Sequence, residues 1–100
     1  MEAPNSKILV IDDDKSNFLL IEKAFKNSEV IYASSGAEGL DKIRESKPGL
    51  VLLDVMLGDG SGFDFLKSIR KQFDAFSLPV IMVTSKDGDN GIEKWFSYGV

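Results

Sequence analysis

Three runs of four aliphatic or methionine residues, Ile8-Leu9-Val10-Ile11, Leu50-Val51-Leu52-Leu53 and Val80-Ile81-Met82-Val83, stop at polar residues: Asp12, Asp54 and Thr84. None of the runs alternates with polar residues, which suits strands covered on both faces, as in a parallel sheet with helices above and below it. Ligands of open α/β sheets bind outside the carboxyl ends of the strands. The runs therefore gather Asp12-Asp13-Asp14, Asp54 and Thr84 toward one edge of such a sheet, where position matters as much as identity.

Helical patterns and one edge strand separate the runs. Phe18, Ile21 and Phe25 fall at i, i+3, i+7, with Leu19 and Ala24 widening the stripe and Asp14 or Ser16 able to cap the start, so a first helix is predicted over roughly 15–27. Glu29 to Ala33 reads as a short second strand with the polar flanks of a sheet edge. A second helix over about 37–46 turns Leu40 and Ile43 inward and is broken by Pro48-Gly49. The Gly58-Asp59-Gly60-Ser61-Gly62 loop forms a turn and caps a third helix with Leu66, Ile69 and Phe73 on one face, and Pro79 opens the fourth predicted strand. Beyond the loop Ser85-Lys86-Asp87-Gly88-Asp89-Asn90, the residues Ile92, Trp95 and Phe96 predict a fourth, partial helix.

The expected architecture is an α/β doubly wound parallel sheet built from right-handed βαβ units. Its fourth strand would lie at an edge while being as apolar as an interior strand. Such an edge invites pairing with another chain. A fifth strand and its helix are accordingly expected to follow Val100, and a homodimer or strand-swapped dimer through the exposed fourth strand is an expected partner arrangement.

With 100 residues, 43% of them hydrophobic and 28% charged, residues 1–100 are expected to form a single domain, incomplete at its C-terminus. No stretch approaches the roughly 18 apolar residues of a membrane span, and the first seven residues lack a signal peptide's apolar segment, so a cytoplasmic location without membrane contact is expected. Sixteen acidic against 12 basic residues give no electrostatic footprint for nucleic acid on this segment. The absence of cysteine and histidine excludes disulfides, thiolate and imidazole ligands, a cysteine nucleophile and phosphohistidine. What remains is carboxylate, hydroxyl, amine and metal chemistry.

Two carboxylates about 4 Å apart repel by roughly 4 kcal/mol at an effective dielectric of 20, so Asp12, Asp13 and Asp54 together need a counterion. An all-oxygen donor set favours Mg²⁺, with Mn²⁺ or Ca²⁺ as alternatives, and a phosphoryl group would complete the shell. An aspartate can attack phosphorus to give an acyl phosphate, and Thr84 could donate its hydroxyl to a phosphoryl oxygen. Asp14 reads as a helix cap, and Asp87 and Asp89 as solvated loop charges.

The ordered set Ile8 to Asp14, Leu50 to Leu57, Asp59-Gly60-Ser61-Gly62-Phe63 and Pro79 to Ser85 resembles the receiver domain of two-component response regulators. The resemblance runs from Lys7 to Val100. It implies a flavodoxin-like fold whose four strands here take the order 2-1-3-4, with the fifth strand and helix absent. It also implies phosphoryl transfer from a histidine kinase or histidine phosphotransfer protein to Asp54. Asp13 and Asp54 would ligate Mg²⁺ directly, together with the Met56 backbone carbonyl, Asp12 would act mainly through a coordinated water, and Thr84 would be the switch hydroxyl. Met56 and Lys86 would border the pocket. The chain departs from the family pattern at Gly58, where proline is usual, and in ending before the strand that carries the pocket lysine and switch aromatic; Lys86 is the nearest basic residue. Catalysis would extend at most to self-phosphorylation and autodephosphorylation. The alternatives are a receiver used as an interaction or dimerisation module without phosphotransfer, and a phosphatase of the haloacid dehalogenase type. The latter's Asp-x-Asp motif would have to come from Asp12-Asp13-Asp14, and no cap domain is present.

Overall fold

The structure, a computed structural model, describes residues 7–58, 60–74, 77–84 and 94–97; for Met56, Thr84 and Lys94–Ser97 the description is of the backbone. A five-stranded sheet has the order β2-β1-β3-β6-β7. Its strands are β1 (Lys7–Ile11), β2 (Glu29–Ala33), β3 (Leu50–Asp54), β6 (Val80–Thr84) and β7 (Lys94–Ser97), and a small antiparallel pair, β4 (Met56–Leu57) and β5 (Gly60–Ser61), follows β3. The helices are α1 (Lys15–Ala24), α2 (Gly36–Ser46) and α3 (Gly62–Gln72). The first four strands of the sheet are parallel, with Ile11 beside Leu53 and Asp54 beside Val83, so their carboxyl ends share one edge. The expected α/β doubly wound sheet with strand order 2-1-3-4 is the one found.

Period-2 geometry splits each apolar run between two cores. Leu9, Ile11, Val51, Leu53, Val80 and Met82 face the larger cluster, which α2 and α3 close with Ile43, Leu66 and Ile69. Ile8, Val10, Leu52 and Val83 face the smaller one, against which Phe18 and Ile21 of α1 pack. Burying each such side chain contributes roughly 1.5–3 kcal/mol. That is why uninterrupted apolar runs, costly in a half-exposed strand, are at home here.

The caps follow local chemistry. Asp14 is the N-cap of α1 and accepts the Ser16 N–H at 2.9 Å, as expected. Ser35 caps α2 by accepting the Glu38 N–H at 3.1 Å, while the Glu38 carboxylate accepts both the backbone N–H and the hydroxyl of Ser34 at 2.9 Å. Lys47 closes α2 in the left-handed region, at φ 51°.

Three expectations are corrected. Helix α1 stops at Ala24, so Phe25 is its C-cap and is 42% exposed, and Leu19 is 48% exposed; the stripe that meets the sheet is Phe18 and Ile21. Residues 94–97 form strand β7 in place of the expected fourth helix, antiparallel to β6 with Thr84 beside Lys94 and Val83 beside Trp95. The unpaired N–H and C=O groups of an apolar edge strand are satisfied by the nearest segment with strand-favouring aromatic residues. For the same reason the β6 edge is not open as expected: the chain's own segment occupies it. The loop around Lys86, Asp87 and Asp89, together with Ile92, Tyr98 and Asp59, lies outside the described residues.

Candidate functional site

Register alone brings the acidic residues together. Asp54 ends β3, Asp12 and Asp13 follow β1 immediately, and β1 and β3 are hydrogen-bonded neighbours. The Asp12 N–H donates to the Ala33 carbonyl at 3.0 Å, which extends the β1–β2 ladder one residue and fixes the turn. One carboxylate oxygen from each of Asp12, Asp13 and Asp54 lies within 4.8 Å of the other two. Asp12 and Asp54 are buried, at 4% and 9% exposure, while Asp13 faces solvent.

Asp12 is held at both oxygens. Its Oδ1 accepts the Asp14 N–H and its Oδ2 the Asn17 side-chain amide, each at 2.8 Å. Burial pushes the Asp12 carboxyl above its ordinary value, and the Asp13 charge adds to this, while hydrogen bonding to the Asp14 backbone, Asn17 and the Asp54 side chain pulls it down. Desolvation winning over three hydrogen bonds means that this carboxylate is poorly compensated without a cation. A cavity of about 100 Å³ opens beside the cluster, lined by Asp12, Asp54, Asn17, Ile21, Leu52 and Val83.

The neighbouring strand ends complete the surroundings. Asp54 pairs with Val83, so the backbone of Thr84 ends β6 one residue beyond the row that contains Asp54. The Val55 N–H donates to the Val83 carbonyl at 3.0 Å, and Met56 begins β4 directly afterwards. On the other side Tyr32 of β2 packs against Phe18 with the ring centroids 5.0 Å apart and the planes tilted at 42°, and it lies beneath the Lys15 ammonium at 5.9 Å. Burial and then the charges of Asp12, Asp13, Glu38 and Asp14 push the Tyr32 phenol up. The negative field of the cluster thus reaches the adjoining strand.

The profile of the response regulator receiver domain matches residues 8–100. The chain belongs to the receiver family. It is 42% identical over 85 residues to the alkaline phosphatase synthesis transcriptional regulatory protein PhoP of Bacillus subtilis, a match covering 83% of this chain and 35% of that protein. It is 33% identical over 103 residues to the probable C4-dicarboxylate response regulator DctR of Halalkalibacterium halodurans, covering 99% of this chain and 44% of that one. The chain therefore spans less than half the length of these curated relatives. Among solved structures, the BeF3-activated N-terminal receiver domain of Klebsiella pneumoniae RstA superposes with a TM-score of 0.72 at 30% identity, over 84% of this chain and 71% of that one. The receiver domain of a putative LuxO repressor from Vibrio parahaemolyticus gives 0.71 at 28% identity, over 80% and 62%. Among the described residues no helix is long and apolar enough to cross a membrane.

In this receiver, Asp12, Asp13 and Asp54 meet, and the backbones of Met56 and Thr84 adjoin them; Lys86 lies outside the described residues. Receiver domains typically bind Mg²⁺ at an acidic pocket, and three carboxylates with an all-oxygen donor set fit a hard divalent cation. Two contributors escaped the sequence reading. Asn17 sits in the first turn of α1, five positions after Asp12, and nothing in its local sequence marks it as a site residue. Gly62, assigned only to a turn, packs directly on the backbone of Asp54.

Proposed function

We propose that this receiver is a phosphoacceptor switch, modified on Asp54 by a histidine kinase or histidine phosphotransfer protein in a Mg²⁺-dependent reaction. The observation that carries the reading is the convergence of three carboxylate oxygens within 4.8 Å at the carboxyl edge of a parallel sheet. Asp13, Asp54 and the Met56 carbonyl would hold the cation directly. Asp12, whose two oxygens already accept hydrogen bonds, suits a role through a coordinated water. The cation, when bound, offsets negative charge on the carboxylates and on the transferring oxygens.

In the transfer, an Asp54 carboxylate oxygen forms a bond to phosphorus as the P–N bond of the donor's phosphohistidine breaks. The electron pair of that bond stays on the imidazole nitrogen, and Asp54 becomes an acyl phosphate. Asp54 is 9% exposed and shares its cavity with the apolar side chains of Leu52, Val83 and Ile21, which limits the water that reaches the product. The Thr84 hydroxyl, at the end of the adjacent strand, would turn onto a phosphoryl oxygen and bias the β6 end between two arrangements. The segment acts in the cytoplasm as part of a two-component phosphorelay, without contacting nucleic acid itself.

Intact mass after incubation with acetyl phosphate tests the reading, with Mg²⁺ or EDTA and with Asp54→Asn as control. The expected result is a gain of one phosphoryl group that needs both Mg²⁺ and Asp54. An equal gain in EDTA or in the asparagine variant overturns it.

A further inference from the structure

The Gly62 backbone lies against the peptide that carries the phosphoacceptor. A Cβ built at position 62 overlaps the Asp54 carbonyl oxygen and sits 3.0 Å from the Asp54 carbonyl carbon and 3.1 Å from the Val55 Cα. All three atoms are backbone, so no rotamer change relieves the overlap. The left-handed backbone conformation in this loop belongs to Gly60, at φ 148°, and not to Gly62. Glycine is therefore required at 62 for close approach.

The same residue is bonded as well as packed. The Gly62 N–H donates to the Val55 carbonyl at 2.7 Å, and the Val55 N–H donates to the Val83 carbonyl at 3.0 Å. Two successive peptide units, Asp54–Val55 and Val55–Met56, are thus held between the first residue of α3 and the end of β6. Helix α3 cannot easily retreat to make room, because Leu66 and Ile69 anchor it in the larger core at 8% and 1% exposure. Displacing the strand end moves Asp54 away from Asp12 and Asp13, re-aims the Met56 carbonyl and pulls on the Val83–Thr84 peptide.

We infer that Gly62 is a positioning residue for the acidic site: its missing side chain sets where the Asp54 carboxylate and the Met56 carbonyl stand relative to Asp12 and Asp13. The inference rests on the phosphoacceptor reading given above. It differs from a purely structural role in its consequence. A side chain at 62 degrades cation binding and phosphoryl transfer in chains that remain folded, whereas destabilising α3 elsewhere does not.

The test compares wild type, Gly62→Ala and Ile69→Val, the last being a change in the larger core on the same helix, at a residue outside those that line the acidic site. Folding is checked by circular dichroism, Mg²⁺ affinity by calorimetric titration and phosphorylation by the initial rate with acetyl phosphate. Gly62→Ala is expected to lose about 10- to 100-fold in rate, as for a displacement of around 1 Å at a reacting group, with Mg²⁺ affinity falling in parallel. Ile69→Val is expected to lose stability and keep both. A Gly62→Ala variant that binds Mg²⁺ and reacts like wild type overturns the inference alone, and a wild type that neither binds Mg²⁺ nor reacts overturns the phosphoacceptor reading and this inference with it. Should the alanine variant not fold, wild type carries the test. Its Gly62 amide should exchange hydrogen more slowly with Mg²⁺ bound, and exchange indifferent to Mg²⁺ refutes the coupling.

Discussion

Replacing Asp54 with asparagine should raise the melting temperature of the metal-free chain while removing its response to Mg²⁺. Two full charges 4.8 Å apart, the separation that bounds the Asp12, Asp13 and Asp54 cluster, repel by roughly 3.5 kcal/mol at an effective dielectric of about 20. The Asp12–Asp54 pair is the one water screens least, because both members are buried, and the exposed Asp13 adds less. Part of the repulsion is already relieved by hydrogen bonding between the two side chains. A net gain of about 1–3 kcal/mol is left for the uncharged, nearly isosteric amide. In a domain of this size about 1 kcal/mol moves the melting temperature by roughly 4–8 °C, so the rise should lie between about 4 and 24 °C. Mg²⁺ at a hundred times its dissociation constant adds about 2.7 kcal/mol to wild type by mass action, and most of that should vanish in the variant. Scanning calorimetry of both chains in EDTA and in Mg²⁺ gives the four numbers needed. An Asp54→Asn chain that melts at or below wild type in EDTA, or gains as much from Mg²⁺, would refute the electrostatic account of the cluster.

Three further outcomes are expected. Burial raises the Asp12 carboxyl above its ordinary value of 3.8, so the native state holds its proton more tightly than the unfolded chain does. The resulting stability is complete below about pH 4 and is lost as pH climbs through the raised value; urea midpoints in EDTA should show this decline, and it should flatten in Asp12→Asn. Asn17→Ala removes the amide that donates to Asp12 Oδ2 at 2.8 Å, which should weaken Mg²⁺ binding severalfold and cost about 1–3 kcal/mol in urea denaturation; unchanged Mg²⁺ affinity would count against Asn17 as a support of Asp12. Ser35→Ala deletes the N-cap of α2 and should cost about 1 kcal/mol with no change in phosphorylation rate, because Ser35 is not among the residues that line the acidic site.

The strands and their order were legible because an apolar run without alternation has few homes other than an interior parallel strand. The acidic site was legible because register turns three separate strand ends into one edge. Helix periodicity was a weaker guide: Phe25 continues the spacing of Phe18 and Ile21 yet falls one residue past the end of α1 and stays 42% exposed. Over residues 94–97 the pattern was too short to separate helix from strand, and pairing with the β6 edge decided. Asn17 and Gly62 were unreadable as site residues for a different reason. Each acts through an atom on another element, Asp12 Oδ2 in one case and the Asp54 carbonyl in the other, and neither contact leaves a local mark in the sequence.

The two halves of the acidic cluster are mounted on unequal supports. Asp54 leads through the small β4–β5 pair into α3, which drives Leu66 and Ile69 into the larger core. Asp12 and Asp13 lead into α1, which contributes no fully buried residue and leans on the sheet through Phe18 and Ile21 alone among its described contacts with the smaller core. Helices so lightly rooted are the first to lift from a domain. In the metal-free chain α1 should therefore detach in brief excursions that strip the Asn17 amide from Asp12 and loosen the exposed Asp13, while Asp54 stands in place. A cation joining both sides acts as a rivet across that seam, and the amides it slows should be those of α1, far more than those of α3.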